Sequence, residues 1–291
     1  MTWLITGGAG QLGLAFQIEL SKQGIDFMSV NSTQLDITNP LSVEESVNSI
    51  KPDVIINTAA WTDVDGAEAN ESAANAVNAL GPQNLAIAAK NVGSRLVQVS
   101  TDYVFSGKGT TPWSEAAEHN PQSVYGSTKS EGEKLVLESY SAESYVVRTA
   151  WLYSADRKNF AKTITKLALN ASGEVRVVND QMGQPTFTGD LAKQIIDLVL
   201  SDSLVGIYHG TNSGQATWFE YAQEIFRLAG QDVSRVVPVS SSEYPRPAKR
   251  PSYSVLGHDA WAKTTLEPMR DWRIALAEAM PAIISAVKAE G

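Results

Sequence analysis

The chain of 291 residues carries a formal charge of −9 and no cysteine. That excludes disulfides, thiolate nucleophiles and thiolate metal sites, and it disfavours a general nucleic-acid binder, which needs cations to displace the counterions around phosphates. A hydrophobic fraction of 43% and a charged fraction of 19% belong to a globular protein able to bury a sizeable core, as one large α/β domain or a domain with a smaller lobe. No apolar run reaches the roughly 18 residues of a membrane helix, and Thr2 enters a strand-like segment without a charged leader, so a cytoplasmic protein with no membrane partner is expected.

Thr2 to Thr6 reads as a short buried strand, followed by the glycine run Gly7 to Gly13 and an amphipathic helix from Leu14 to Lys22. Phe27 to Val30 reads as a second strand, and the apolar run Asp53 to Thr58, just after Pro52, as a third. Helical spacing then runs from Ala73 to Asn91, Arg95 to Ser100 is β-rich, Ser127 to Tyr140 is helical and Tyr145 to Thr149 extended. Strands joined by helices predict an α/β fold, a Rossmann-type doubly wound parallel sheet, over residues 1–150. Beyond Trp151 the order loosens into a smaller mixed α/β lobe over residues 151–291, some segments of which return to the first domain. Helices are expected at Phe160 to Leu169, Leu191 to Leu200, Trp218 to Leu228 and Trp272 to Val287, an extended piece at Glu174 to Val178 and a loop at Ser240 to Pro251.

The glycines fit two spacings, Gly8, Gly10 and Gly13 as Gly-x-Gly-x-x-Gly, and Gly7, Gly10 and Gly13 as Gly-x-x-Gly-x-x-Gly. Their place between the first strand and a helix predicts a dinucleotide site, where backbone approaches a pyrophosphate and a helix N-terminus supplies positive potential. At the end of the second strand stand Asn31 and Ser32, with neither an acid for a ribose 2′-hydroxyl nor an arginine for a 2′-phosphate. NADPH is therefore the expected cofactor, with NADH possible. Asp36 and Ile37 either approach the adenine or belong to a turn before Asn39-Pro40.

Tyr125 and Lys129 lie four apart on a helix face, where a lysine ammonium would lower the tyrosine pKa and make it a proton donor. Thr101, at a strand end 24 residues before Tyr125, can donate to a substrate carbonyl and to the tyrosine hydroxyl. Arg246, Lys249 and Arg250 either meet a substrate diphosphate or belong to a solvated loop. Trp151 is a stacking surface or a core residue. His119, His209 and His258 show no metal-ligand spacing, and no metal site is expected.

The glycine turn, Asn57-Thr-Ala-Ala60, Ser100-Thr-Asp-Tyr-Val-Phe105 and Tyr125-Gly-Ser-Thr-Lys129 together resemble the extended short-chain dehydrogenase/reductases. More narrowly, Ala60 to Glu68, Arg148-Thr-Ala-Trp151, Asn159 to Lys162, Asn179 to Thr186 and Arg250-Pro251 make the chain similar to the dTDP-4-dehydrorhamnose reductase family, over nearly its whole length. The resemblance implies reduction of the C4 ketone of dTDP-6-deoxy-L-lyxo-4-hexulose to dTDP-L-rhamnose, with Tyr125 giving the proton. It places cofactor contacts at Gly10, Gln11, Leu12, Asp36, Ile37, Ala59, Ala60, Trp61, Thr62, Val99, Tyr125 and Lys129, and substrate contacts at Val64, Asp65, Thr101, Asp102 and Trp151. Tyr103 stands where similar 4,6-dehydratases carry a glutamate, which disfavours dehydration. Ala15 replaces a carboxylate through which some members bridge a dimer with magnesium, so a monomer or weak homodimer is expected. A cofactor-binding regulatory subunit, or a reductase or epimerase of another nucleotide sugar, stays open as an alternative.

Overall fold

In the computed structural model, which describes residues 1–201 and 203–290, strands and helices alternate through the first half. They are β1 (Thr2–Thr6), α1 (Gln11–Lys22), β2 (Asp26–Val30), α2 (Pro40–Ile50), β3 (Val54–Asn57), the short α3 (Val64–Ala69) and α4 (Glu71–Asn75), α5 (Gly81–Val92), β4 (Arg95–Thr101), α6 (Val124–Tyr140) and β5 (Ser144–Thr149). The second half holds β6 (Leu152–Tyr153), α7 (Phe160–Asn170), β7 (Val175–Val178), β8 (Met182–Gly183), β9 (Thr186–Phe187), α8 (Thr188–Leu200), β10 (Gly206–His209), β11 (Ala216–Thr217), α9 (Trp218–Leu228), β12 (Val236–Val239) and α10 (Trp272–Ala289). No described helix is long and apolar enough to cross a membrane.

Six strands form one parallel sheet in the order β2-β1-β3-β4-β5-β10. This is the doubly wound α/β architecture expected from the alternation. Every residue of β3 and of β5 is buried, as strands covered on both faces must be. One face packs Trp3, Ile5 and Val147 against Phe16 of α1 and Ile195 of α8. The other packs Leu4, Ile55 and Leu96 against Val43 of α2, Leu85 of α5 and Val136 of α6. A separate core around Tyr153, Tyr221, Phe226, Trp272 and Leu276 holds α7, α9 and α10 together. The strand sequence changes direction between β1 and β3, and the crevice outside their carboxyl ends is where such sheets bind ligands.

Several local features differ from expectation. The helical spacing over Ala73 to Asn91 is interrupted by a widened π-helical turn at Ala76–Leu80. Pro82 explains it, because a residue without an N–H cannot donate to the Asn78 carbonyl four positions back. α6 starts at Val124, capped by the Ser123 hydroxyl, which accepts from the Gly126 amide at 3.2 Å; Tyr125 therefore lies inside its first turn. α2, and β10 at the sheet edge, were not expected at all: Gly-Ile-Tyr-His is too short to show a period.

Candidate active site

The switch point opens into a cleft of about 800 Å³ walled by the glycine turn, the carboxyl ends of β2 to β5 and the start of α6. The turn is built by backbone proximity. Gly7 has φ +70°, and a Cβ there would lie 2.5 Å from the Ala59 amide nitrogen; one at Gly13 would lie 2.6 Å from the Gly7 carbonyl oxygen. Only glycine fits both positions. α1 begins directly at Gln11 with no acidic residue in its first turn, so its amide dipoles face the cleft uncompensated, as a phosphate seat requires. The Gly8 amide donates to the Val30 carbonyl at 2.9 Å, pinning the turn to the end of β2.

Gly7, Gly10, Gln11, Leu12, Gly13, Asn31, Asp36, Ile37, Ala59, Ala60, Thr62, Val64, Val99, Thr101, Asp102, Tyr125, Lys129 and Trp151 all line this one cleft. Trp61, Asp65 and Arg250 do not. The Trp61 backbone is gripped from both sides by the Asn78 side chain, and its indole donates to the Asp63 carbonyl at 3.0 Å. Asn78 belongs to the widened turn and also reaches the Thr128 hydroxyl on α6 at 3.1 Å. The irregular helix thus ties the cleft floor to the helix bearing Tyr125. Asp65 and Arg250 form an ion pair at 2.9 Å. Burial raises the Asp65 carboxyl, but the hydrogen bonds from Arg250 and the Ala248 amide outweigh it and hold the group below its usual range. Both charges act on Tyr103 of the cleft wall, which places the pair beside the cleft.

Asp36 takes both readings. Its carboxylate accepts from the Thr38 amide and hydroxyl at 2.9 and 2.8 Å, a turn role, while the residue lines the cleft. The Asn31 side-chain oxygen likewise accepts from Thr33 and Gln34 to close its own loop. Trp151 is held in the left-handed region at φ +47°, a conformation costing a non-glycine residue about 1–2 kcal/mol. There its indole stacks on Trp218 at 3.5 Å with the rings 11° apart, one face serving the smaller core while the residue walls the cleft.

Thr101, Tyr125 and Lys129 meet at the ends of β4 and α6. The Thr101 hydroxyl donates to the Asp102 carboxylate at 2.9 Å and lies near enough to Tyr125 to act on its phenol. Lys129 is buried, and its ammonium donates to the Val99 carbonyl at 2.6 Å. Burial pulls the lysine down to about 8, with Glu133 opposing. Burial pushes the Tyr125 hydroxyl up to about 12, and the group that lowers it is Thr101. The Lys129 ammonium, which helical spacing places on the same face as the Tyr125 phenol, has its hydrogen bond to the Val99 carbonyl. Burial also lifts the Asp102 carboxyl to about 6 against the Ser254 and Thr101 hydroxyls.

Sequence reasoning missed Arg157 and Lys158, which line the cleft from the loop before α7. The adjacent pair of cations just before the Asn159 helix cap was the available signal. Among the described residues no metal-ligating cluster occurs. His209 is fully buried and pulled down to about 3 by burial and by Arg148, whereas His119 and His258 bond to the Ser130 and Thr211 hydroxyls.

Residues 1–284 match the family described as the RmlD substrate binding domain. The chain belongs to this family. It is similar to the dTDP-4-dehydrorhamnose reductase of Streptomyces griseus, 45% identical over 285 residues that cover 97% of this chain and 93% of the relative. Among solved structures, a Clostridium acetobutylicum dTDP-4-dehydrorhamnose reductase superposes with a TM-score of 0.93 at 45% identity, covering 97% of this chain and 99% of the other. That of Bacillus anthracis in complex with NADP gives 0.92 at 38% identity, covering 96% and 98%.

Proposed function

We propose that this chain reduces the C4 ketone of dTDP-6-deoxy-L-lyxo-4-hexulose to dTDP-L-rhamnose at the expense of NADPH. The observation that carries the reading is the meeting of Thr101, Tyr125 and Lys129 in the same cleft as a glycine turn fitted to a pyrophosphate. The names of the relatives point to the same substrate class. NADPH, when bound, supplies the hydride. The amides around Gly10, Gln11 and Leu12, at the N-terminus of α1, would hold its phosphates, and Lys129, already bonded to the Val99 carbonyl, would hold its ribose. Tyr125 and Thr101, whose hydroxyl turns from Asp102 to the substrate, bind the ketone oxygen by hydrogen bonds, and Tyr125 passes its proton to that oxygen as alkoxide charge develops. The Tyr125 hydroxyl, held at about 12, keeps its proton at neutral pH until an alkoxide of higher basicity forms. The lobe built around Trp151 and α7 takes the sugar nucleotide, with Trp151 as a stacking face and Arg250 turning from Asp65 to the diphosphate.

The test is consumption of NADPH by purified protein with the keto-sugar nucleotide generated in situ, beside NADH and a UDP-linked analogue. Turnover with formation of dTDP-rhamnose is expected. Cofactor binding without turnover of any keto-sugar nucleotide would transfer belief to a regulatory subunit.

A further inference from the structure

One turn beyond Lys129 on α6 lies Glu133, so that Tyr125, Lys129 and Glu133 form a single stripe at intervals of four residues. Glu133 is 2% exposed, and its carboxylate is fully engaged. The Ser100 hydroxyl donates to Oε1, and the Arg148 guanidinium grips both oxygens, from Nε at 3.0 and 3.1 Å and from Nη2 at 2.7 Å. Arg148 is itself 1% exposed and sits opposite Ser100 in the β4–β5 register. Its remaining donors reach the Glu115 carbonyl, His119 and His209. Ser100 immediately precedes Thr101, and Val99, which accepts from Lys129, immediately precedes Ser100.

We propose that Glu133 is a positioning residue for Lys129: it ties α6 to Ser100 of β4 and Arg148 of β5, fixing the adjacent Val99 carbonyl against the ammonium, and sets its carboxylate one helical turn from the lysine. The inference rests on the assignment of Lys129 to the reductase site. A buried ion pair is poor evidence of stabilisation, since an apolar pair of the same shape often does as well; its place one turn from Lys129 gives it a role in the site instead. The titratable and charged groups on and against this stripe are Tyr125 and Glu133 themselves, Asp102 and Tyr103 at Tyr125, and Arg148 and His119 at Glu133, with Glu115 and His209 beyond the arginine. Of these, Glu133 is the one that raises the lysine pKa, against burial that pulls it to about 8.

Glu133→Gln removes the charge and leaves the Arg148 cation uncompensated, so the Lys129 titration should fall by about one pH unit or more. The direct readout is 13C NMR of lysine side chains, with the Lys129 signal identified by its loss in Lys129→Arg. This titration needs no turnover, so it decides the inference even if the reductase reading fails. In the kinetic readout, the alkaline limb of the kcat/KM profile should shift to lower pH by the same amount. A merely structural role would lower activity equally across the profile. The double variant Glu133→Gln with Arg148→Met withdraws both charges and restores a neutral buried pair; its titration should lie between those of the native protein and the single variant. A Lys129 midpoint unmoved in Glu133→Gln, or in the double variant should the single one fail to fold, overturns the proposal. Turnover by the native protein alongside such a result would leave the proposed function standing.

Discussion

Replacing Gly13 by alanine separates a cofactor seat built by backbone contact from an ordinary tight turn. Gly13 lies within α1, so alanine itself gains roughly 0.5–1 kcal/mol of helix propensity. Against this, the new Cβ would sit 2.6 Å from the Gly7 carbonyl oxygen and 2.7 and 3.0 Å from Cα and C of Gly8. All three are backbone atoms, so no side chain can swing aside and the turn itself must open by several tenths of an ångström. Overpacking of this kind costs about 1–3 kcal/mol, leaving a net loss of up to about 2.5 kcal/mol and a Tm lower by up to about 10 °C. The larger effect should fall on the cofactor, because the displaced amides are those aimed at its phosphates. We expect the NADPH Kd to rise at least about tenfold, equivalent to about 1.4 kcal/mol. Fluorescence titration and thermal melting measure the two effects separately. Gly24→Ala is the control: at φ +67° with nothing within 4 Å, it should cost about 1–2 kcal/mol of stability and leave the Kd alone. An unchanged Kd in Gly13→Ala would refute the assignment of this turn to the pyrophosphate.

Tyr125→Phe should cut kcat by about 10²–10⁴-fold with the NADPH Kd intact; undiminished turnover would remove the proton from Tyr125. The Asp102 carboxyl, raised from 3.8 to about 6 by burial, is favoured in the folded state when protonated. Its ionisation therefore costs nothing below pH 3.8 and up to about 2–3 kcal/mol once the pH has risen through 6. Asp102→Asn should accordingly melt at higher temperature than the native protein at pH 8 and lose that advantage near pH 4, and a pH-independent difference would count against the buried charge. Arg250→Ala should raise KM for the sugar nucleotide about tenfold with kcat and NADPH affinity kept. Its ion pair with Asp65 is partly exposed, so stability should change by less than about 1 kcal/mol; a fall in kcat with KM unchanged would make Arg250 a structural residue instead.

Much of the site was legible because its residues lie on regular elements next to signals that sequence displays. Gly7 to Gly13 follow a strand, Thr101 ends one, and Tyr125 and Lys129 repeat at helical spacing. What escaped notice depends on long-range placement. Trp61 stands between Ala60 and Thr62 of the cleft wall, yet Asn78 holds its backbone, and Asn78 lies in the widened turn of a helix whose periodicity reads as continuous. Arg157 and Lys158 come from a loop beyond β5 that folds back over the glycine turn, where the Gln11 side chain donates to the Leu152 carbonyl at 3.3 Å. The pairing of Arg148 with Glu133 needs the register of two strands and the rotation of a helix, none of which a linear pattern contains. The Lys129 contact is of the same kind: spacing places the lysine near the phenol but does not say that the Val99 carbonyl accepts from its ammonium.

The placement of β10 beside β5 also bears on how the chain is made. β5 ends at Thr149 and its edge partner begins at Gly206, so during synthesis a fully buried, apolar strand must wait for its neighbour. At about 5–20 residues per second, that interval lasts roughly 3–12 s, while α8, which covers the same face, is also still emerging. The nascent chain thus offers an open apolar edge of the kind that recruits other strands. Synonymous changes that slow the ribosome between Thr149 and Gly206 should lengthen the exposure and raise the aggregated fraction without altering the finished protein.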